Sequence, residues 1–242
     1  MSFFEQHDRF FQSSIVGAWP LRLALRHHAI IETNAHCFAG ARVLDLASHD
    51  GRWSLAALNA GAAHVTGVEA RPDLVATANA NFEHYGVARD RYDFIVGDLN
   101  HQLQAPGAFD VVLCLGYFYH TLNHLALWQY IASTNAQHVV LDGEVTPGED
   151  MIIRVVTEDI SAHANGISAA GVLNGQMLVG RPTTSVLGAM LRHFGYDCTF
   201  FDWATLLRER GVAFDQSTQS ATNPVGDYGV GRRATALGVR VD

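Results

Sequence analysis

A short apolar run that ends in an acid and turns at once into a helix constrains this chain more than any other feature. The run is Val43-Leu44-Asp45-Leu46-Ala47-Ser48-His49-Asp50-Gly51. Residues 41–47 form a strand-like stretch, and after the turn residues 53–59 carry a helical pattern. The unit then repeats. Residues 64–70, 92–98, 109–116 and 138–145 read as further strands, with helical stretches at 73–85 and 121–136. Pro72 suits the first turn of the helix it opens, where no backbone N–H is needed. Strands that alternate with helices imply crossover units, a parallel sheet and cover on both of its faces.

Beyond residue 145 the pattern changes. Residues 183–195 are helical, 198–203 strand-like and 204–210 a short helix; a Gly/Ser/Asn-rich stretch covers 211–231, and 233–241 alternates as a last strand. The expected architecture is therefore α/β: a Rossmann-like, seven-stranded, mostly parallel sheet with helices on both faces and the last strand antiparallel. The 242 residues fit a single domain. In it, 1–40 form an aromatic, His-rich helical cover and 41–145 the ligand-binding core. Residues 146–182 form a lid-like insertion, and 183–242 complete the sheet. The cover and the insertion are expected over a site at the carboxyl ends of the strands, where open α/β sheets bind ligands.

Charge narrows the function classes. The net charge is −8, and all 16 basic residues are Arg, because the chain contains no Lys. That removes a phosphate-loop Lys, a Schiff base and kinase-type chemistry. It also argues against nucleic acid as a partner, since Arg gathers only in short pairs such as Arg208/Arg210 and Arg232-Arg233. The apolar run from Val111 to Tyr119 is about half of what spans a bilayer, so no membrane partner is expected. The start Met1-Ser2-Phe3-Phe4-Glu5 lacks the features of a signal peptide. Three distant cysteines, Cys37, Cys114 and Cys198, show no metal-ligand spacing and fit a reduced, cytoplasmic protein. Homo-oligomerisation stays open, and His27, His28 and His163 receive no role.

The chemistry lies at the strand ends. Glu69, eighteen residues beyond Gly51, closes the second strand, where an acid can accept hydrogen bonds from both ribose hydroxyls of a nucleoside ligand. Gly97-Asp98-Leu99 closes the third, and Asp98 could accept from an adenine amino group. The fourth ends Cys114-Leu115-Gly116-Tyr117-Phe118-Tyr119-His120. This set resembles the class I S-adenosylmethionine-dependent methyltransferases over roughly residues 41–145. The resemblance implies that Asp45, Ala47, His49 and Gly51 hold the methionine end of the cofactor and that Glu69 binds ribose. It further implies that Asp98 and Leu99 bind adenine and that backbone near Leu115 meets the methionyl amine. The family's D-x-G-x-G-x-G turn here reads D-L-A-S-H-D-G. Ala47 costs little if its φ stays negative, whereas His49 falls where positive φ is often required. Within the family, residues 115–120 with Pro182 and 185–196 are similar to the branch of the tRNA wobble-uridine carboxymethyltransferase; the fold carries over, the tRNA substrate does not. The chain is also similar in general character to small sugar O-methyltransferases.

Methyl transfer to a hydroxyl needs help with the departing proton. His120, directly after the fourth strand, is the first candidate base. His124 would share its helical face if the helix begins by His120. Asp142 and Glu144, at the tip of the fifth strand, point to one side by the period of two, and with a nearby His could hold Mg²⁺. The expected partner is a small-molecule acceptor, a polar metabolite such as a sugar. A nicotinamide-dependent oxidoreductase fits less well, because the G-x-G-x-x-G turn is absent and Asp45 would repel a pyrophosphate. A non-catalytic methyltransferase-like binding module is the other alternative.

Overall fold

A computed structural model describes residues 1–14, 18–99, 107–162, 172–213 and 224–241; His163 and part of the Gly/Ser/Asn-rich stretch lie outside them. Among the described residues, apolar stretches that alternate with helical segments produce ten strands: β1 (Arg42–Leu46), β2 (His64–Glu69), β3 (Tyr92–Val96), β4 (Val111–Leu115), β5 (His138–Glu144), β6 (Ile153–Asp159), β7 (Val172–Leu173), β8 (Gln176–Pro182), β9 (Tyr196–Phe200) and β10 (Arg233–Arg240). Seven form one sheet in the order β3-β2-β1-β4-β5-β10-β9. The pairs from β3 through β5 are parallel, and β10 runs antiparallel between β5 and β9. This is the expected Rossmann-like sheet. In it the chain reverses direction of travel between β1 and β4, which opens a crevice at their carboxyl ends.

Both faces are covered because both faces are apolar. On one, Val43, Val65, Val111 and Leu113 meet the helix Arg52–Asn59 and the N-terminal segment, with Phe4, Phe10, Leu23, Ile30 and Phe38 buried. On the other, Leu44, Leu46 and Val112 meet Trp128, Ile131, Leu187 and Leu191 from the helices His124–Ser133 and Thr184–His193. Each fully buried large side chain of this kind contributes about 1.5–3 kcal/mol. No described helix is long and apolar enough to cross a membrane.

Three local expectations change. The stretch read as a strand at 198–203 forms as β9 over Tyr196–Phe200, and Trp203 instead opens the helix Trp203–Glu209, capped by the Asp202 carboxylate accepting from Thr205 N at 2.9 Å. The helix expected at 121–136 covers His124–Ser133 and is preceded by a separate 3₁₀ turn, Phe118–His120. His120 and His124 therefore do not share one helical face. The weakly patterned insertion contains a second, three-stranded antiparallel sheet in the order β6-β8-β7.

Candidate active site

The turn after β1 bends through left-handed backbone at all three positions where the family pattern has glycine. Ala47 has φ +57°, His49 +53° and Gly51 +80°. The condition under which Ala47 would cost little, a negative φ, is thus not met. At Gly51 a side chain is excluded twice over, by its φ and because a Cβ would lie 2.9 Å from Phe94 Cζ. Neighbours hold the strained turn. Ser48 N donates to Val68 O at 3.1 Å, and His49 N donates to Glu69 Oε2 at 3.1 Å. Glu69 Oε1 accepts from Arg71 N at 2.9 Å, so the buried carboxylate straps the β1 turn to the β2 end while each oxygen retains a further lone pair.

Asp45 is buried and accepts from Ser54 Oγ at 2.7 Å. Burial pushes its carboxyl up to about 7, and the Ser54 hydrogen bond and the Arg52 charge only partly oppose that. Asp50 is held well below the usual carboxylate range: burial works against ionisation, but Arg52 and His49 outweigh it, and Ser13 and Ser14 donate at 2.9 and 2.6 Å. Around this turn several buried polar atoms lack a hydrogen-bond partner: Ser48 Oγ, both His49 ring nitrogens, Asp50 Oδ1, Arg52 Nε and Nη1, and Arg26 Nε. His49 Nδ1 and Arg52 Nε each lie 3.3 Å from Asp50 Oδ1, within ion-pair range but badly angled. A concentration of unmet donors beside a high-pKa acid suits a ligand end that carries both a carboxylate and an ammonium group. The residues present thus fit the amino-acid end of S-adenosylmethionine. Asp98 lies half-buried two residues past β3, with Leu99 buried, and Leu115 closes β4.

The other half of the site stands at the β4 end. His120 is buried, and its Nδ1 lies 2.5 Å from Oε2 of Glu158 on β6. Burial alone would raise the Glu158 pKa, but His120 and Arg181 lower it below its usual value. Arg181 on β8 bridges onward, with Nη2 3.4 Å from Glu158 and Nη1 3.1 Å from Glu144. Glu158 is the one buried residue of an otherwise exposed or half-exposed strand. The insertion therefore supplies the partner of the candidate base, which the sequence reading did not identify. No apolar alternation pointed to it, because β6 exposes five of its seven residues. At its far end the same insertion meets the end of β2, where Arg71 Nη2 donates to Ile160 O at 3.1 Å and to Ala162 O at 3.3 Å.

Two further expectations are corrected. Asp142 is fully buried, and its oxygens accept from Arg26 Nη2 (2.7 Å), Arg233 Nε (2.9 Å), Tyr228 Oη (2.7 Å) and Thr235 Oγ1 (2.6 Å). Two guanidinium groups stand where a cation would have to sit, and Glu144 faces Arg181 instead. The Asp142/Glu144 pair does not fit Mg²⁺, which needs several oxygen ligands and its own waters. His124 is buried where it packs against Gly180, with Nε2 unpartnered and its pKa lowered by burial. The N-terminal aromatics Phe3, Phe4 and Phe10 are core; Phe4 packs edge-on against Trp53 at 5.4 Å.

A parallel sheet reversed at β1/β4, strand-end acids and an unmet polar turn suit an amino-acid-bearing nucleoside. Residues 43–137 match the model of the methyltransferase domain family, and the sheet has the Rossmann-like fold of the methyltransferase structures below. Among solved structures it is similar to the N-terminal domain of EvdMO1 with SAH bound (TM-score 0.60, 18% identity, 87% of this chain and 79% of that one). It is also similar to DhpI in complex with SAH (0.57, 15%, 98% and 94%). A third is the magnesium protoporphyrin IX methyltransferase from Synechocystis with bound SAH (0.57, 16%, 100% and 89%). No curated protein sequence matches significantly.

Proposed function

We propose that the chain O-methylates a hydroxyl of a small polar metabolite, such as a sugar or sugar derivative, with His120 as general base. The buried His120–Glu158 pair carries this reading, because an acid buried on an exposed strand is costly unless its partner needs it. Glu158 accepts from His120 Nδ1–H and so leaves Nε2 as the ring's acceptor. Nε2 takes the acceptor hydroxyl's proton as its oxygen attacks, and Glu158 stabilises the imidazolium that results. Bound S-adenosylmethionine supplies an electrophilic methyl on a good leaving group. Asp45, His49, Gly51 and Arg52 hold its amino-acid end, Glu69 its ribose, Asp98 and Leu99 its adenine, and Leu115 backbone its amine. Residues 146–182 act as a lid that excludes water from the reacting oxygen. The similarity to a domain crystallised with SAH and D-fucose supports a sugar-like acceptor.

Calorimetric titration with S-adenosylmethionine and with SAH, on wild type and Glu69→Ala, tests the cofactor half; micromolar binding lost in the variant is expected. A screen of hydroxylated metabolites then tests the acceptor. His120→Ala should lower kcat by about 10²–10⁴-fold, and a loss within about threefold ends the base assignment. Glu158→Gln should lower kcat while leaving SAH affinity unchanged, since the imidazolium loses its carboxylate; an unchanged kcat ends the positioning role. Cofactor binding without turnover of any acceptor would return the chain to the binding-module alternative.

A further inference from the structure

At the opposite end of the sheet, away from the strand tips that build the site, three soft ligands converge. His36 and Cys37 sit on the 3₁₀ turn Ala35–Cys37 just before β1, and His138 opens β5. Their ligand atoms all lie within 4.8 Å of one another, and Cys37 Sγ is 3.4 Å from His36 Nε2. Tetrahedral zinc, with nitrogen at about 2.0–2.1 Å and sulfur at about 2.3 Å, holds neighbouring N and S ligands about 3.5 Å apart. The Cys37–His36 pair already has that spacing, and His138 has only to close by the rotation of one exposed or half-exposed ring. The two imidazoles meet edge to face, with centroids 6.0 Å apart and planes at 89°.

A Cys–His hydrogen bond would account for one of these contacts but not for the third ligand. We propose that His36, Cys37 and His138 bind one divalent transition-metal ion of the zinc class, with solvent in the fourth position. The donor set, one sulfur and two imidazoles, selects such an ion over Mg²⁺ or Ca²⁺. Cys37 is buried, His138 half-buried and His36 exposed, so the ion enters from solvent and ends against the protein. A strand of seven residues, roughly 20 Å, separates this point from the tip of β5. The ion's role is accordingly a fastening. It joins the N-terminal segment to the sheet, and that segment delivers Ser13, Ser14 and Arg26 to the opposite end.

The test uses the untagged full chain, with Co²⁺ as a spectroscopic probe and Zn²⁺ as competitor. Wild type should take up one Co²⁺ with a thiolate-to-metal charge-transfer band that Zn²⁺ bleaches at one equivalent. Cys37→Ser should abolish the band. His36→Ala alters an exposed side chain, so the protein keeps its fold and its SAH affinity; it should lose at least about tenfold in Zn²⁺ affinity. Zn²⁺ should raise the melting temperature of wild type and leave that of His36→Ala unchanged. A Co²⁺ spectrum without a thiolate band, or equal Zn²⁺ affinity in wild type and His36→Ala, would overturn the proposal and assign any uptake to other members of the chain's 13 histidines.

Discussion

Burial lifts the Asp45 carboxyl to about 7, and that has a cost the cofactor can offset. An unfolded Asp releases its proton near pH 4, whereas the folded chain holds this one until about 7. The folded state thus binds the extra proton between those values, and stability falls as pH rises through that window. Asp45→Asn should stabilise the ligand-free protein at pH 8 by an amount on the order of a few kcal/mol, read by urea unfolding, while weakening cofactor binding in calorimetry. If Asn neither stabilises the empty protein nor weakens binding, Asp45 has no part in the cofactor site. Asp50 and Asp142 have the opposite sign. Both are held below the ordinary range by arginines despite burial, so their stabilisation is present at neutral pH and is lost on acidification below about 4. The strained turn is a residue-scale feature too. Left-handed backbone at Ala47 and His49 costs about 1–2 kcal/mol at each non-glycine position, and the hydrogen bonds from Ser48 N and His49 N hold it in place.

Elements were legible in the sequence where their apolar period was strong. All seven strands of the large sheet, and the acids at the ends of β1 and β2, follow from short apolar runs closed by turns. The inserted sheet was not legible, because β6 exposes most of its side chains and so lacks the alternation that marks a half-buried strand. Its two functional contacts, Glu158 with His120 and Arg71 with residues 160 and 162, join positions 38 and about 90 residues apart, which spacing does not reveal. Asp142 shows the converse. Its place at a strand tip suggested a metal ligand, but partners from distant segments, Arg26, Tyr228 and Arg233, claim its oxygens. The insertion also sets a prediction at this scale. Arg71 ties its far end to the end of β2, next to the proposed ribose anchor Glu69, so Arg71→Ala should loosen the cover, raise KM for the cofactor and leave kcat nearly unchanged at saturation. A kcat that falls with KM unaltered would place Arg71 in the chemistry instead.

For the whole molecule, ligand binding is coupled to global stability. In the proposed function the cofactor joins the β1 turn, the β2 end and the β4 end, and unfolding must then release it. SAH at about 100 times its Kd should add about 2.7 kcal/mol and raise the melting temperature by about 5–10 °C for a chain of this size. Glu69→Ala should erase most of that increment in the same scan; an equal increment in the variant would place the ligand elsewhere.

The position of β10 bears on how the chain is made. β5 pairs with β10 along its whole length, yet about 90 residues separate the two in sequence, and Asp142 on β5 depends on Arg233 from β10 for part of its compensation. While a ribosome is still adding those residues, β5 is an open strand edge that holds a carboxylate short of one of its two guanidinium partners. Nascent chains in that interval can pair edge to edge with one another. Yield at high expression should therefore depend on how fast the last segment is translated, and slow codons between β5 and β10 should cost more soluble protein than slow codons before β1.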